Sequence, residues 1–374
     1  MHVLVAPDKF RGTLTARQAA EAIETGWRRA RPGDTLDLIP MADGGEGTLE
    51  ALVDSQGGRI VAATVTGPLG DPIGAAFGLV ETSEGLTGVV ESARASGLAV
   101  LGEDRRDPLR TTTRGTGELI LAALEAGARR VVVCLGGSAT NDGGVGMAAA
   151  LGIRFLDRQG RALGDGGEAL LDLARIDATD IDKAVAAASF LGATDVENPL
   201  CGPSGASHVY APQKGASPED VFLLDRALAH LAAVVHRDLG ITLKDEPGAG
   251  AAGGLGFGLL AFCGARLRRG VDVVMDAVDL GGRMHGADLV ITGEGSLDAQ
   301  SLYGKVPAGV IAMAALLSVP VAVLCGRAEV APDGVIVRSL VERVGEAAAL
   351  GDARRSLELV ASELATDLPA GVAR

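Results

Sequence analysis

The chain has 374 residues, a formal charge of -14 and only 3% aromatic side chains, a balance that repels polyanions and leaves few rings for base stacking, so a nucleic-acid partner is excluded. Hydrophobic residues reach 47%, enough for sizeable aliphatic cores, and the length exceeds what a single core usually serves, which points to two domains. The 54 glycines follow no short repeat, which rules out collagen and implies tight loops.

In chain order, Val3 to Ala6 reads as a buried strand. The segment APDKFRGTLTARQAAEAIETGWRRA then reads as a loop and a helix capped by Thr13 or Thr15. Asp8, Lys9 and Arg11 thus fall between a strand end and a helix start. Leu36 to Ile39 is a second strand, and MADGGEGTLEALVD repeats the plan with Asp43, Gly44, Gly45, Glu46 and Gly47 before a helix. From Arg59 the texture changes to short strands separated by Gly, Pro and Asp, the pattern of antiparallel hairpins.

A helix is expected over Thr116 to Ala126 and a strand over Val131 to Leu135. After the strand, GGSATNDGGVGMAAALG forms a glycine-rich loop whose successive amides at Gly136, Gly137 and Ser138 suit an anion, while Asn141 and Asp142 suit a cation or a hydroxyl. Phe190 to Thr194 is a further strand ending at Asp195 and Asn198, and Ser217-Pro218-Glu219-Asp220 opens a helix. Gly248, Gly250 and Gly253 match G-x-G-x-x-G, with a strand expected at Ile241 to Leu243 and Asp272 about twenty residues on. The polar run Lys244 to Pro247 separates that strand from the first glycine, which weighs against a dinucleotide site.

In ADLVITGEGSLDAQSLYGKVP an apolar strand stops in Thr292-Gly293-Glu294-Gly295. Glu294 and Asp298 project at its carboxyl end, ahead of Lys305 at a helix entrance. Two acids with one base suit a metal-bound phosphate. Strands at Val321 to Leu324 and Val335 to Val337 follow, then an acidic amphipathic helix with a frayed tail, which packs on its own domain or on a partner in a homo-oligomer. The four cysteines are more than sixty residues apart and read as reduced thiols of a cytoplasmic protein. The one long uncharged run, Val306 to Gly326, is split by Pro320 into helix and strand, so no membrane span is expected. These elements make an α/β protein: a doubly wound domain from both chain ends, 1–62 and 286–374, with a mixed α/β domain inserted over 63–285 and acid and glycine clusters in the cleft between them.

Six motifs, APDKFRGTLTA, PMADGGEGT, GGSATNDGG, GATDVENPL, GAGAAGGLGFG and TGEGSLDAQSLYGKVP, stand in an order and at separations that resemble the bacterial glycerate kinase family. The resemblance runs from the first strand almost to the C-terminus. It implies a flavodoxin-like domain with a second, smaller α/β domain, and an ATP-dependent kinase of D-glycerate that uses Mg²⁺ and usually makes 2-phosphoglycerate. Where relatives often read APDSFKGS, Lys9, Arg11 and Thr13 stand here, which keeps positive charge but exchanges a point charge for a planar fork.

With that chemistry, Mg²⁺ and phosphates belong near Asp43, Asp142 and Asp298. Lys305 is the phosphate counter-charge, and the glycine turns at Gly44, Gly45, Gly136, Gly137, Ser138 and Gly295 receive the nucleotide. Asp195 is the expected base, with Asp43 as the other choice. Asp8, Arg11, Arg94 and Asn198 are assigned to the substrate, arginine because it grips a carboxylate with two parallel bonds. Two other classes stay open, a nicotinamide-dependent oxidoreductase using Gly248 to Gly253 and a non-catalytic ligand-binding protein.

Overall fold

A computed structural model describes residues 1–82, 85–299, 301 and 304–369; the tail expected beyond them, 370–374, lies outside the described residues. The described strands are, in chain order, β1 (His2–Val5), β2 (Thr35–Leu38), β3 (Arg59–Thr66), β4 (Pro72–Thr82), β5 (Gly85–Glu91) and β6 (Arg130–Cys134). They continue with β7 (Arg154–Leu156), β8 (Arg175–Asp177), β9 (Ser189–Ala193), β10 (Arg266–Arg268), β11 (Leu289–Leu297), β12 (Val321–Ala328) and β13 (Ile336–Ser339). Two compact units divide the chain: Met1–Asp43 with Gly270–Arg374, and Gly44–Arg269.

The first unit is a parallel sheet in the order β13-β12-β11-β1-β2. Counted within the unit alone, this is 2-1-3-4-5, the flavodoxin-like winding. Val3, Leu4 and Val5 pair in register with Leu289, Val290 and Ile291, and all six side chains are buried, as strands covered on both faces require. The helix Ala16–Ala30 starts at Thr15, which forms a reciprocal capping box with Gln18. Thr13, the other expected cap, spends its hydroxyl on the Phe10 carbonyl (2.9 Å) in the preceding turn. That helix crosses Ala353–Asp367 so closely that a Cβ on Gly26 would lie 2.1 Å from the Glu358 carbonyl oxygen. Trp27 is buried beside the crossing, and its indole N–H finds Asp34 at 3.0 Å.

The second unit carries a six-stranded sheet in the order β10-β9-β6-β5-β4-β3. β3, β4 and β5 are joined antiparallel, as the Gly/Pro/Asp punctuation indicates, and β5, β6, β9 and β10 then run parallel. A separate core gathers under the helix Pro218–Leu239 and the small β7–β8 ribbon. The helix is capped by Ser217 with Asp220 in a second capping box, and Phe155 meets Phe262 edge-on at 5.4 Å.

Several expectations shift. Residues 44–62 belong to the second unit because β3 pairs along its whole length with β4 and the helix Thr48–Ser55 packs beneath it, Gly78 admitting Val53 and Leu49. Residues 270–285 belong to the first, since Gly309 of the helix Val306–Leu317 seats Val271 and Met275. The inserted unit is the larger of the two, as it is with the expected bounds of 63–285. Ile241 to Leu243 form no strand, and β11 extends through Glu294 and Gly295 to Leu297, where a loop was expected. None of the described helices is long and apolar enough to cross a membrane.

Candidate active site

In a doubly wound sheet the ligand crevice opens where the strand order reverses. In the first unit that point lies between β1 and β11, and there the chain places its acids. Past Val5, the Ala6 amide donates to the Ile291 carbonyl (2.7 Å) and the Asp8 amide to the Gly293 carbonyl (2.8 Å), so strand-like pairing continues into the loop. Asp8 is 6% exposed, and its Oδ1 accepts from the Lys9 amide at 2.7 Å. Burial, reinforced by the charge of Asp43 and less by that of Glu294, raises its pKa to about 7 against the opposing pull of Lys9. Glu294 is also raised, by burial first, with Ser301 and Lys305 holding it down. Its Oε1 is buried without a hydrogen-bond partner.

Asp43 is half-buried at the end of this unit's first segment. Asp298 closes a turn in which its Oδ1 accepts from the Ser301 amide (2.9 Å), and Lys305 stands at the N-cap position of the helix Val306–Leu317 without a side-chain capping bond. Arg11 is exposed on the turn between Phe10 and Leu14, with Gly295 against its backbone: a Cβ on Gly295 would lie 3.2 Å from the Arg11 nitrogen.

Among the described residues no three His, Cys, Asp or Glu side chains converge into a metal cage. Mg²⁺ asks for less, usually one or two carboxylates with water and phosphate completing its shell. An unpartnered buried Glu294 oxygen, with Asp8 raised by burial and by the charge of Asp43, is a donor set that a hard divalent cation suits.

In the second unit, the glycine loop follows β6. Gly137 is left-handed (φ 68), and a Cβ on Gly136 would lie 2.8 Å from the Cα of Gly45, so the two glycine turns pass each other backbone to backbone. Gly44 is left-handed too (φ 88). Glu91 fixes the GGEG turn: its Oε1 accepts the amides of Gly47 and Leu49, each at 2.9 Å, while its Oε2 takes Arg94 Nε at 2.7 Å. Arg94 also pairs with Glu50, so its fork is already filled by protein carboxylates. Asn198 is likewise engaged, donating to the Ser204 carbonyl (2.8 Å) and accepting from the Tyr210 hydroxyl (2.7 Å). Asp195 is exposed just past β9.

Asp142 belongs to the second unit, Asp43 and Asp298 to the first. Fully buried, it accepts from the Thr113 amide and hydroxyl (2.8 Å each) and from the amides of Gly144 and Gly146 (3.1 Å each). Burial raises its pKa and these donors oppose the rise. With four donors on two oxygens it pins the loop to the start of the helix Arg114–Glu125, a structural use rather than that of an open metal ligand. Lys214 carried no signal in the sequence beyond being one lysine in a polar turn, yet it is buried against Ser138 and Thr140.

The G-x-G-x-x-G glycines serve packing. Added Cβ atoms would lie 2.3 Å from the Pro199 oxygen at Gly250 and 1.9 Å from the Thr140 oxygen at Gly253. Ala252, Gly253 and Gly254 are all left-handed, and neighbouring backbone approaches Gly250 and Gly253 too closely for any side chain.

A flavodoxin-like sheet with acids at its switch point, joined in one chain to a second α/β unit bearing a glycine-lined loop, defines a class of two-unit α/β proteins. The family model described as "Glycerate kinase family" matches residues 3–368. The chain therefore belongs to the glycerate kinase family. Similar proteins include a glycerate kinase from Bacillus subtilis (strain 168), 50% identical over 87% of this chain and 85% of that protein. The glycerate 2-kinase from Escherichia coli (strain K12) is 46% identical over 87% of this chain and 85% of its own length. A crystal structure provisionally named glycerate kinase 2, from Salmonella typhimurium LT2, superposes with a TM-score of 0.87 at 44% identity, covering 98% of this chain and 97% of that one.

Proposed function

We propose that the chain transfers the γ-phosphoryl group of ATP to the 2-hydroxyl of D-glycerate, giving 2-phosphoglycerate. The observation that carries this reading is the acid pair at the β1/β11 switch point, Asp8 raised to about 7 beside the unpartnered Glu294 oxygen, in a chain 46% identical to a protein named glycerate 2-kinase. Phosphoryl transfer needs positioning, charge on the phosphate oxygens and a carboxylate to receive the hydroxyl proton. Asp8 suits the last role: Oδ1 is occupied by the Lys9 amide, which leaves Oδ2 to hold the proton. A pKa near 7 matches the working pH of a general base. The exposed Asp195 has no comparable environment, so the role passes from it to Asp8.

Glu294 and Asp43, with Asp298 at the following turn, are the residues that would hold Mg²⁺. When bound, the ion supplies neutralisation of charge on the transferring phosphate. Lys305 opposes phosphate charge from the helix entrance. Arg11, exposed and planar, is positioned to grip the glycerate carboxylate, a role that the occupied Arg94 does not suit. The turns at Gly44, Gly45, Gly136, Gly137 and Ser138 offer backbone amides to the triphosphate. Four free thiols and dependence on ATP fit a cytoplasmic setting.

Purified protein with ATP, Mg²⁺ and D-glycerate should release ADP in a coupled assay, and ³¹P NMR of the product should show a phosphorus coupled to the C2 proton. ADP no higher than in the glycerate-free blank removes the kinase reading. A phosphorus coupled to the C3 methylene protons moves the transfer to the other hydroxyl.

A further inference from the structure

Lys214 ends the short turn Pro212–Lys214 and is 1% exposed. Its Nζ donates to Ser138 Oγ at 2.9 Å and to the Thr140 carbonyl at 2.7 Å. Among the described residues it forms no ion pair; Asp142 acts on it only through its field. An ammonium held among neutral oxygens is costly, and burial pulls its pKa down to about 7. Such a cost persists where the charge acts on something.

What it acts on is Ser138. A serine hydroxyl has one proton and two acceptor lone pairs. Lys214 fills an acceptor position, and Ser138 Oγ has no other hydrogen bond among the described residues, so its proton has no protein acceptor. Ser138 is 6% exposed, so the hydroxyl is sheltered from bulk water. The same loop holds two further buried polar atoms without partners, Thr140 Oγ1 and Asn141 Oδ1.

We propose that Lys214 and Ser138 form a donor relay: Lys214 occupies the acceptor side of the Ser138 hydroxyl and thereby presents its proton to an anionic oxygen, phosphate or carboxylate, of a substrate arriving at the glycine loop. This deepens the kinase reading and rests on it. Ser138 touches the ligand, and Lys214 is a positioning residue that acts through it. Hydrogen bonds in series polarise one another, so the hydroxyl is a stronger donor with the ammonium behind it than without.

The test is a double-mutant cycle of Ser138→Ala and Lys214→Met, with KM for ATP, KM for D-glycerate, kcat and melting temperature measured for each variant. Ser138→Ala should raise one of the two KM values about tenfold, the worth of a hydrogen bond to a charged group, with little change in melting temperature. Which KM moves tells phosphate from carboxylate. Lys214→Met should raise the same KM, and the double variant should be no worse than the worse single one, because the two act in series. Unchanged KM values in Ser138→Ala, or losses that multiply in the double variant, overturn the relay. Should Lys214→Met fail to fold, Ser138→Thr decides: the retained hydroxyl should restore the KM that alanine raised, and failure to restore it overturns the proposal. If wild-type protein releases no ADP, the kinase reading fails separately, and calorimetric binding of inorganic pyrophosphate judges the relay. Binding of pyrophosphate, or of D-glycerate measured in the same way, about tenfold weaker in Ser138→Ala than in wild type supports it, and equal binding of both overturns it.

Discussion

The Asp8 amide donates to the carbonyl of Gly293 at 2.8 Å, one residue before Glu294 on the neighbouring strand. Two acids far apart in the chain are thereby set by backbone geometry rather than by side-chain choice, and burial at the ends of two neighbouring strands raises the pKa of each. A site built this way tolerates little drift, since the β1/β11 pairing that holds it is also the centre of the first unit's core.

Asp8 makes stability fall as pH rises. The unfolded chain titrates this carboxyl near 3.8 and the native protein near 7, so between these values the native state holds a proton that the unfolded chain has released. Asp8→Asn removes that penalty. Its melting temperature should exceed that of wild type at pH 8 by more than at pH 4, while turnover falls about 100-fold or more with loss of the base. Equal differences at both pH values would show that Asp8 titrates normally.

Glu294 gives a ligand-linked prediction. Mg²⁺ without nucleotide should raise the melting temperature of wild-type protein at pH 8, by about 2.7 kcal/mol of stability at a hundredfold excess over its Kd. Glu294→Gln should lose most of this gain, with NaCl at matched ionic strength as the control. A full gain in the variant would take Glu294 out of the cation's shell.

Asp142→Asn keeps the size of the side chain but replaces one acceptor oxygen by an amide donor, which then faces either the Gly144 N–H at the Oδ1 position or the N–H groups of Thr113 and Gly146 at the Oδ2 position. Buried donors facing a donor should cost about 3 kcal/mol, read from the urea midpoint at unchanged slope. A shift below about 1 kcal/mol would mean that the loop is held by other contacts.

Gly253→Ala meets two obstacles at once, a left-handed backbone (φ 69) and a Thr140 oxygen 1.9 Å from the new Cβ. Destabilisation of about 2–4 kcal/mol is expected, and neither this variant nor wild type should enhance NADH fluorescence. Enhancement in wild type alone would revive the dinucleotide reading.

Much of the fold was legible because its signals are local. Ser217-Pro218-Glu219-Asp220 carries its capping box in four adjacent letters, and Leu289 to Ile291 announce a buried strand by composition alone. The domain boundary was not, because nothing in RIVAATVT distinguishes a last parallel strand from the first arm of a hairpin until its partner β4 is known. The candidate acids could be listed from sequence, but not ranked: Asp8 and Asp195 each follow a strand end, and that Asp8 is buried while Asp195 is exposed leaves no local trace in the sequence. Arg94 looked available because Glu50, its partner, lies 44 positions away. Lys214 was invisible for the same reason, its acceptors lying more than seventy positions upstream.

Val3 pairs with Leu289, and this imposes an order of events on the ribosome. At about 5–20 residues per second, the opening strand waits roughly 15–60 s for its neighbour to be made, an interval in which its bare edge is open to any passing β-strand. The 44–269 unit has every one of its strands in hand before that neighbour emerges. Nascent chains halted short of residue 289 should therefore protect the middle of the polypeptide from protease while the first forty residues are still cut.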